Sequence, residues 1–287
     1  MIHYQKCNII AEIGCTHIGD LKRAKMLARL AKLAGADVIK LQKRNPKEST
    51  PISLQKAPHP NKHFSYGNTY LEHRENIELN IQQHTELQKY CQDIDIIYST
   101  SVWDLTSAKE IISLNPKMIK IPSALNRNIK LIEYLYHNYN GQIHISLGMT
   151  TKQERIDLLN YLTNNQLKRT VIYHCVSGYP VPFQKQYILE INNLIKIKNK
   201  NKPFEIGYSG HGYGIATDIA AYTLGATWVE RHFIDDRTFR HTDASASLEP
   251  EGLRKLCRDL AAIQQTMQYK PNDIDNIELE QRQKLSK

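Results

Sequence analysis

The chain contains no apolar run as long as the roughly 18 residues a membrane span requires, although 41% of its 287 residues are hydrophobic and suffice for a core. Its five cysteines, Cys7, Cys15, Cys91, Cys175 and Cys257, are odd in number, scattered and never spaced CxxC. That usage argues against a disulfide framework and predicts reduced thiols in a cytoplasmic protein. The opening MIHYQKCNIIAEIG lacks the basic segment, long apolar stretch and small-residue cleavage site of a signal peptide. Acidic residues are the minority, 29 against 38 Lys and Arg, and the net charge of +9 suits anionic partners. A nucleic-acid binder would gather that charge with aromatics on one element. Here it is spread, apart from IKIKNKNK over 195–202, which reads as a helix end and a solvated loop. Neither a nucleic acid nor a membrane is therefore expected as a partner.

What the chain has is repetition of short β-branched runs: 8–14, 37–42, 94–100, 118–123, 143–148, 170–175, 204–210 and 228–233. Amphipathic stretches separate them. In DLKRAKMLARLAKLAGA, Asp20 is placed to cap a helix whose Ala24, Leu27, Ala28, Ala31 and Ala34 share one face, and Gly35 ends it. The last helix opens near Pro250, with Leu253, Leu256, Cys257, Leu260 and Ile263 at helical spacing. Eight strands alternating with helices predict an α/β fold of one domain, a (β/α)8 TIM barrel. The competing doubly wound sheet would show a GxGxxG loop after the first strand, and EIGCTHIGD is not one. The barrel is expected over residues 1–268, with a polar tail over 269–287. Residues 43–79 are too long for a plain βα loop; segments of that length without regular structure are functional or disordered.

Active sites of βα barrels lie at the C-terminal rim of the strands. Read along that rim, the residues are Glu12, Lys40, Gln42, Thr100, Lys120, Ser123, Ser146, His174, Tyr179, Ser209, His211 and His232. The set is polar and cationic, as a seat for a phosphorylated anion should be. Lys40 and Gln42 share one strand face, and Lys120 in MIKIPS would be costly to bury without an anion. His211 in GYSGHGYG and His232 in WVERHF stand at adjacent rim positions. With Glu12 or Asp243 they form either a metal seat or two unrelated polar residues, and spacing leaves both open. His174 reads as structural.

These segments resemble, in order, the sialic acid synthases, which condense phosphoenolpyruvate with an N-acetylated mannosamine. The resemblance runs from about residue 7 to 268 through IIAEIGCTHIGD, AGADVIKLQK, YSTSVWD, KIPSALNRN, ISLGM, HCVSGYPVP, GYSGHGYGIATDIAAYTLGATWVERHF and ASLEP. SYGNTYLEHR looks closer to the branch that uses a 6-phosphorylated sugar. The resemblance implies Mn²⁺ or Mg²⁺ held by His211 and His232. It implies phosphoenolpyruvate held at Lys40, Thr100, Lys120, Ser123, Ser146, Ser177, Tyr179 and Ser209, with Ser177 standing where many members have Asn. Glu12, Gln42 and Asp243 match catalytic positions near the sugar and the reacting carbons. It further implies an aldose acceptor and a chain that self-associates as a homo-oligomer.

Three departures bear on the acceptor. After KIPS the family has Gly followed by an acid that grips sugar hydroxyls; here the positions are Ala124 and Leu125, and that carboxylate is gone. Its NHNG is THIG here, with Thr16 and Ile18 in place of two amides. The C-terminal antifreeze-like domain common in the family is not expected within this chain. The phosphoenolpyruvate half thus reads as intact and the acceptor half as altered. Lys43, Arg44, His73 and Arg74 in the long loop are candidate binders of a distal phosphate, or a solvated charged loop. Rival readings are a synthase of a Kdo-like acid, a Schiff-base aldolase using Lys120, and a degenerate barrel that binds without catalysis.

Overall fold

The computed structural model describes residues 5–200, 202–270 and 273–286. Eight parallel strands close into a barrel in sequence order: β1 Asn8–Gly14, β2 Val38–Lys43, β3 Ile97–Val102, β4 Met118–Ile121, β5 Gln142–Ser146, β6 Thr170–Cys175, β7 Glu205–Gly210 and β8 Trp228–His232. Each is followed by one main helix: α1 Leu21–Leu33, α2 Ile81–Asp93, α3 Leu105–Ser113, α4 Ile129–Asn138, α5 Lys152–Tyr161, α6 Glu190–Lys198, α7 Ala216–Thr223 and α8 Pro250–Thr266. The fold is the expected (β/α)8 barrel. Asp20 caps α1 by accepting from Lys22 N, and Ala24, Leu27, Ala28 and Ala31 are buried, as the periodicity predicts. Gly35 follows with φ +98°, a left-handed conformation that favours glycine. Among the described residues no helix is long and apolar enough to cross a membrane.

Strand alternation splits the core. Outward residues such as Ile9, Ile39, Tyr98, Ile119, Ile145 and Ile172 pack under the helices. Inward residues Ile10, Val38, Met118, Val171, Tyr173 and Trp228 plug the N-terminal end of the barrel. Polar atoms in this plug are satisfied: His144 Nδ1 meets Tyr173 Oη at 2.8 Å, and Trp228 Nε1 donates to Glu205 Oε2 at 2.7 Å. Closing one end with apolar bulk leaves the other as the open mouth.

The 43–79 segment is ordered rather than a bare loop. Short helices at Pro46–Ser49, Ile52–Gln55 and Tyr70–Asn76 are capped by side chains where the sequence supplies caps, Asn45 for the first and the Thr69–Glu72 capping box for the last. Tyr66 Oη donates to Arg240 O at 2.6 Å, so the segment reaches the loop after β8 and walls one side of the mouth. In the tail, Asn276–Leu285 forms an exposed helix with no buried residue.

Candidate active site

One step above the plug, the inward residues of β1, β2, β4 and β8 are Glu12, Lys40, Lys120 and Glu230, all buried. Lys40 pairs with Glu12 and lies 3.7 Å from Glu230. Lys120 pairs with Glu230, whose Oε1 also accepts from Ser209 Oγ at 3.1 Å. The Lys120 ammonium sits 4.3 Å from the Tyr173 ring centroid. Burial opposes charge at each of the four, and the pairing decides the outcome. Burial raises Glu12, and it lowers Lys120 despite Glu230 beside it. Against the same burial, Glu12 and Glu230 keep Lys40 above its ordinary value. Lys120 and Lys40 likewise hold Glu230 well below the usual carboxylate range. Two cations and two anions thus nearly cancel at the floor of the mouth.

A pocket of about 310 Å³ opens above them, lined among others by Gln42, Ser123, Ser146, Ser177, Tyr179 and both rim histidines. Two glycines shape it by close approach. A Cβ on Gly148 would fall 2.5 Å from Ser177 Oγ and 2.6 Å from Ser123 Oγ, so the two hydroxyls converge where only a bare Cα fits. Asn126 Nδ2 fixes that corner by donating to Ser146 O at 2.9 Å and Gly148 O at 3.0 Å. A Cβ on Gly14, which has φ +53°, would fall 3.1 Å from Gln42 Nε2, 3.3 Å from Glu12 Oε1 and 3.5 Å from Asp243 Oδ2. Glu12, Gln42 and Asp243 therefore meet around one point, with Gln42 Nε2 donating to Glu12 Oε1 at 3.0 Å.

Lys40, Lys120, Ser123, Ser146, Ser177, Tyr179, Ser209, His211 and His232 all line this pocket, as do Glu12 and Gln42. Asp243 lines an adjoining chamber that shares Gln42, Tyr179 and His232 with the first. Thr100 is the correction. It pairs in register with Leu41, whose side chain packs under the helices, so Thr100 faces the helix layer. Ser101, opposite Gln42, lines the pocket instead. His174 faces outward, with Nε2 2.8 Å from Gln186 O. Leu125 packs against the outer core and supplies nothing to the mouth. The sequence reading passed over Glu230, Trp103 and Cys175, each of which lines the pocket.

The imidazoles of His211 and His232 lie together, ring centroids 5.4 Å apart, with Tyr179 at 4.5 Å from the first and 5.7 Å from the second. Backbone ties place them. Arg231, on the outer face of β8, donates to Gly214 O at 2.6 Å and Gly212 O at 2.7 Å and pairs with buried Asp218, pinning the turn after His211. Val181 N donates to His211 O at 3.0 Å and brings Tyr179 over the ring. Leu248 N donates to His232 O at 2.7 Å, folding the 241–248 segment back so that Asp243 Oδ2 stands 3.8 Å from His232 Nδ1.

Several features suit a divalent cation. His211 Nδ1 faces Val176 O at 3.0 Å, which directs the Nε2 lone pair to a ligand. His232 Nδ1 is buried with no hydrogen-bond partner among the described residues. Burial holds His232 to about 3, against the pull of Asp243, so its imidazole is neutral. With metal–nitrogen bonds of about 2.1 Å, two imidazoles on one ion put their centroids about 5 Å apart, close to the separation seen. Among the described residues no three His, Cys, Asp or Glu side chains cluster to hold an ion by themselves. Two imidazoles on one ion would leave positions open for water and substrate.

A closed βα barrel whose mouth gathers paired lysines, hydroxyls and two imidazoles over one anion-sized pocket defines a barrel enzyme. The chain belongs to the NeuB family, whose profile matches residues 27–272. It is 33% identical over 265 residues to the N,N'-diacetyllegionaminic acid synthase of Campylobacter jejuni, covering 92% of this chain and 78% of that protein. It is likewise 33% identical over 287 residues to the human N-acetylneuraminate-9-phosphate synthase, covering 98% of this chain and 77% of that one. The crystal structure of N-acetylneuraminic acid synthetase from Leptospira borgpetersenii, solved with citrate, superposes with a TM-score of 0.80 at 25% identity, covering 98% of this chain and 93% of that one.

Proposed function

We propose that the enzyme condenses phosphoenolpyruvate with the open-chain form of an aldose, giving a 3-deoxy-2-keto sugar acid and inorganic phosphate. The observation that carries this reading is the stack of Lys40 and Lys120 beneath converging Ser123 and Ser177, with the histidine pair on the same rim. The lysines and the four hydroxyls of Ser123, Ser146, Ser177 and Ser209 hold the phosphate and carboxylate. A phosphate brings about two negative charges at neutral pH, and both lysines are already matched by carboxylates, so further positive charge is needed. His211 and His232 would hold Mn²⁺ or Mg²⁺ there, which when bound supplies that charge and polarises a carbonyl as a Lewis acid.

The remaining steps fall to the chain's own groups. Tyr179 and the pocket walls set C3 of the enol phosphate against the aldehyde carbon, and fixed geometry removes much of the entropic barrier. As the C–C bond forms, positive charge develops at C2 and the aldehyde oxygen takes a proton from solvent in the open mouth, which Glu12 returns after the water addition. Water adds at C2, and Glu12, raised by burial, takes the proton that water loses. Cleavage of the C–O bond then releases phosphate, which takes up the hemiketal hydroxyl proton as the ketone forms. Asp243, kept below its ordinary value despite burial with the Arg44 guanidinium among its neighbours, accepts a hydrogen bond beside the aldehyde. The compartment we assign is the cytoplasm, a reading supported by five cysteines that are all unpaired.

The acceptor differs, in this proposal, from N-acetylmannosamine itself, because Leu125 leaves no carboxylate at the position that would grip its hydroxyls. Phosphate release with phosphoenolpyruvate and Mn²⁺ across a panel of aldoses tests both parts. Release with at least one aldose supports the condensation. Turnover of N-acetylmannosamine alone sinks the acceptor assignment. Gly148→Ala gives a sharper check on the anion seat. It is expected to displace both Ser123 and Ser177 and to weaken phosphoenolpyruvate binding about 10- to 100-fold, the worth of one or two charge-assisted hydrogen bonds. Calorimetric titration reads that loss, and a similar loss of acceptor binding would contradict the assignment.

A further inference from the structure

A cavity of about 270 Å³ lies in the helix layer between α5 and α6 and shares no lining residue with the pocket or the chamber at the mouth. Leu147, just past β5, and His174 of β6 form its floor, and Ile156, Leu194 and Ile197 of the two helices wall it. His174 is only 5% exposed, and burial lowers its pKa, so the ring is neutral. Its Nε2 donates to Gln186 O at 2.8 Å, which leaves a lone pair on Nδ1 with no hydrogen-bond partner among the described residues. The floor is thus aliphatic apart from one open acceptor. The rim is cationic. Lys152, at the start of α5, pairs with no carboxylate among the described residues, whereas Arg155, one turn on, is matched by Glu190 Oε2 at 3.0 Å. One positive charge is left over.

Arg155 also holds the loop that follows β5. Its Nε donates to Thr150 Oγ1 at 3.1 Å and its Nη2 to Thr150 O at 3.3 Å, while Thr150 Oγ1 donates to Leu147 O at 2.5 Å. Between Leu147 and Thr150 stands Gly148, the residue on which Ser123 and Ser177 converge. Leu147 N is tied to β6 by donating to Tyr173 O at 3.0 Å. The outer cavity and the anion seat at the mouth are therefore two sides of one short loop, and Arg155 is the clamp on that loop.

We infer that the cavity between α5 and α6 is an effector site for a small aromatic monocarboxylate with a ring hydroxyl, whose binding weakens the hold of the mouth on phosphoenolpyruvate. Ligand sites span roughly 300–1,000 Å³, so a cavity at the bottom of that range takes one ring and a short chain. Four aliphatic walls offer a sugar too few polar partners. The single unmatched cation selects a single negative charge, which a carboxylate carries at neutral pH and a phosphate ester, with about two, does not. The ring hydroxyl donates to His174 Nδ1 at the floor. A carboxylate at the rim competes with Thr150 for the guanidinium of Arg155, and that exchange of partners gives the loop its two arrangements. Released from Arg155, the loop no longer fixes Gly148 against Ser123 and Ser177. The effect on the mouth rests on the assignment of that pocket to the enol phosphate; occupation of the cavity does not.

The test is calorimetric titration of the full chain with three probes: 3-(4-hydroxyphenyl)propionate, 3-phenylpropionate, which lacks the hydroxyl, and 4-(3-hydroxypropyl)phenol, which lacks the charge. The first is expected to bind about 10-fold more tightly than the uncharged probe, the scale of one charge-assisted contact, and about 5-fold more tightly than the phenyl probe, the scale of one neutral hydrogen bond. Lys152→Glu, at an exposed position, removes the first advantage; His174→Ala removes the second, with the phenyl probe as its control for an intact cavity. Ile156→Asp, also at an exposed position, weakens all three. At saturating 3-(4-hydroxyphenyl)propionate the affinity for phosphoenolpyruvate is expected to fall about 5-fold and then level off, and phosphoenolpyruvate to weaken the probe by the same factor. A fall that never levels off places the probe in the mouth and overturns the inference. So does an unchanged affinity for phosphoenolpyruvate, equal binding of the three probes, or binding that survives both Lys152→Glu and Ile156→Asp. Failure of phosphoenolpyruvate to bind the parent chain, with probe binding lost in Lys152→Glu, sinks the reading of the mouth and upholds that of the cavity.

Discussion

Lys120→Met is expected to lower phosphoenolpyruvate-dependent phosphate release by about 10²–10³, the scale of losing one preorganised charge at a reacting group, and to destabilise the barrel by about 3–5 kcal/mol. The two losses have different causes, and a second substitution separates them. Lys120 is buried against Glu230 and beneath the mouth. Removing it strips the substrate anion of a partner and also leaves Glu230 less compensated inside the barrel. In the Lys120→Met background, Glu230→Gln removes the stranded charge and is expected to restore most of the stability while leaving phosphate release low. Thermal unfolding and initial rates on the same preparations read both quantities. Recovery of activity by the double variant would mean that Lys120 serves only to neutralise Glu230, and its role toward the substrate would be lost. Lys40, held between Glu12 and Glu230, offers no such clean separation because two carboxylates lose their partner at once.

That Glu230 holds both lysines also shows where sequence reasoning stops. Parallel barrel strands are buried on both faces and read as near-continuous apolar runs, so all eight stood out, and the lysines of β2 and β4 stood out within them. The rule that a buried lysine needs an anion is sound, but it pointed to the substrate. The protein supplies a carboxylate of its own from the strand that carries His232. Alternation alone places Glu230 on the face of His232, so the signal was present in WVERHF and went unused. Thr100 failed for a related reason. The run at 94–100 starts at the cap that follows α2 and includes the turn at Asp95, whose φ is +55°, and β3 begins only at Ile97. Framing that strand early hid that Ser101, not Thr100, aligns with Gln42. The 43–79 segment showed only its length, because short capped helices packed on a rim leave no periodicity to read. Lys43 and Arg44, adjacent in sequence, read as one basic patch; strand parity sends the first to Glu110 and the second into the chamber.

His211→Ala and His232→Ala are each expected to weaken Mn²⁺ binding more than ~100-fold, since loss even of an outer partner of a metal ligand costs 10- to 100-fold, and to abolish phosphate release. The electron paramagnetic resonance signal of free Mn²⁺ measures the first effect without reference to catalysis. The two positions are supported differently, which gives the prediction internal structure. His211 is oriented by a backbone carbonyl, Val176 O, that no side-chain substitution removes. His232 Nδ1 has no hydrogen-bond partner among the described residues, and the carboxylate of Asp243 stands 3.8 Å from it. Asp243→Asn is therefore expected to weaken Mn²⁺ binding by about 10-fold through His232, an effect that should vanish when His232 is already alanine. His174→Ala removes an imidazole that faces away from the mouth toward Gln186 O, and it is expected to leave Mn²⁺ binding unchanged. Should the two rim variants bind Mn²⁺ as tightly as the parent chain, or should chelator-treated enzyme release phosphate at full rate, the paired imidazoles are structural. The anion seat formed by Lys40, Lys120 and the converging serines would then have to act without them.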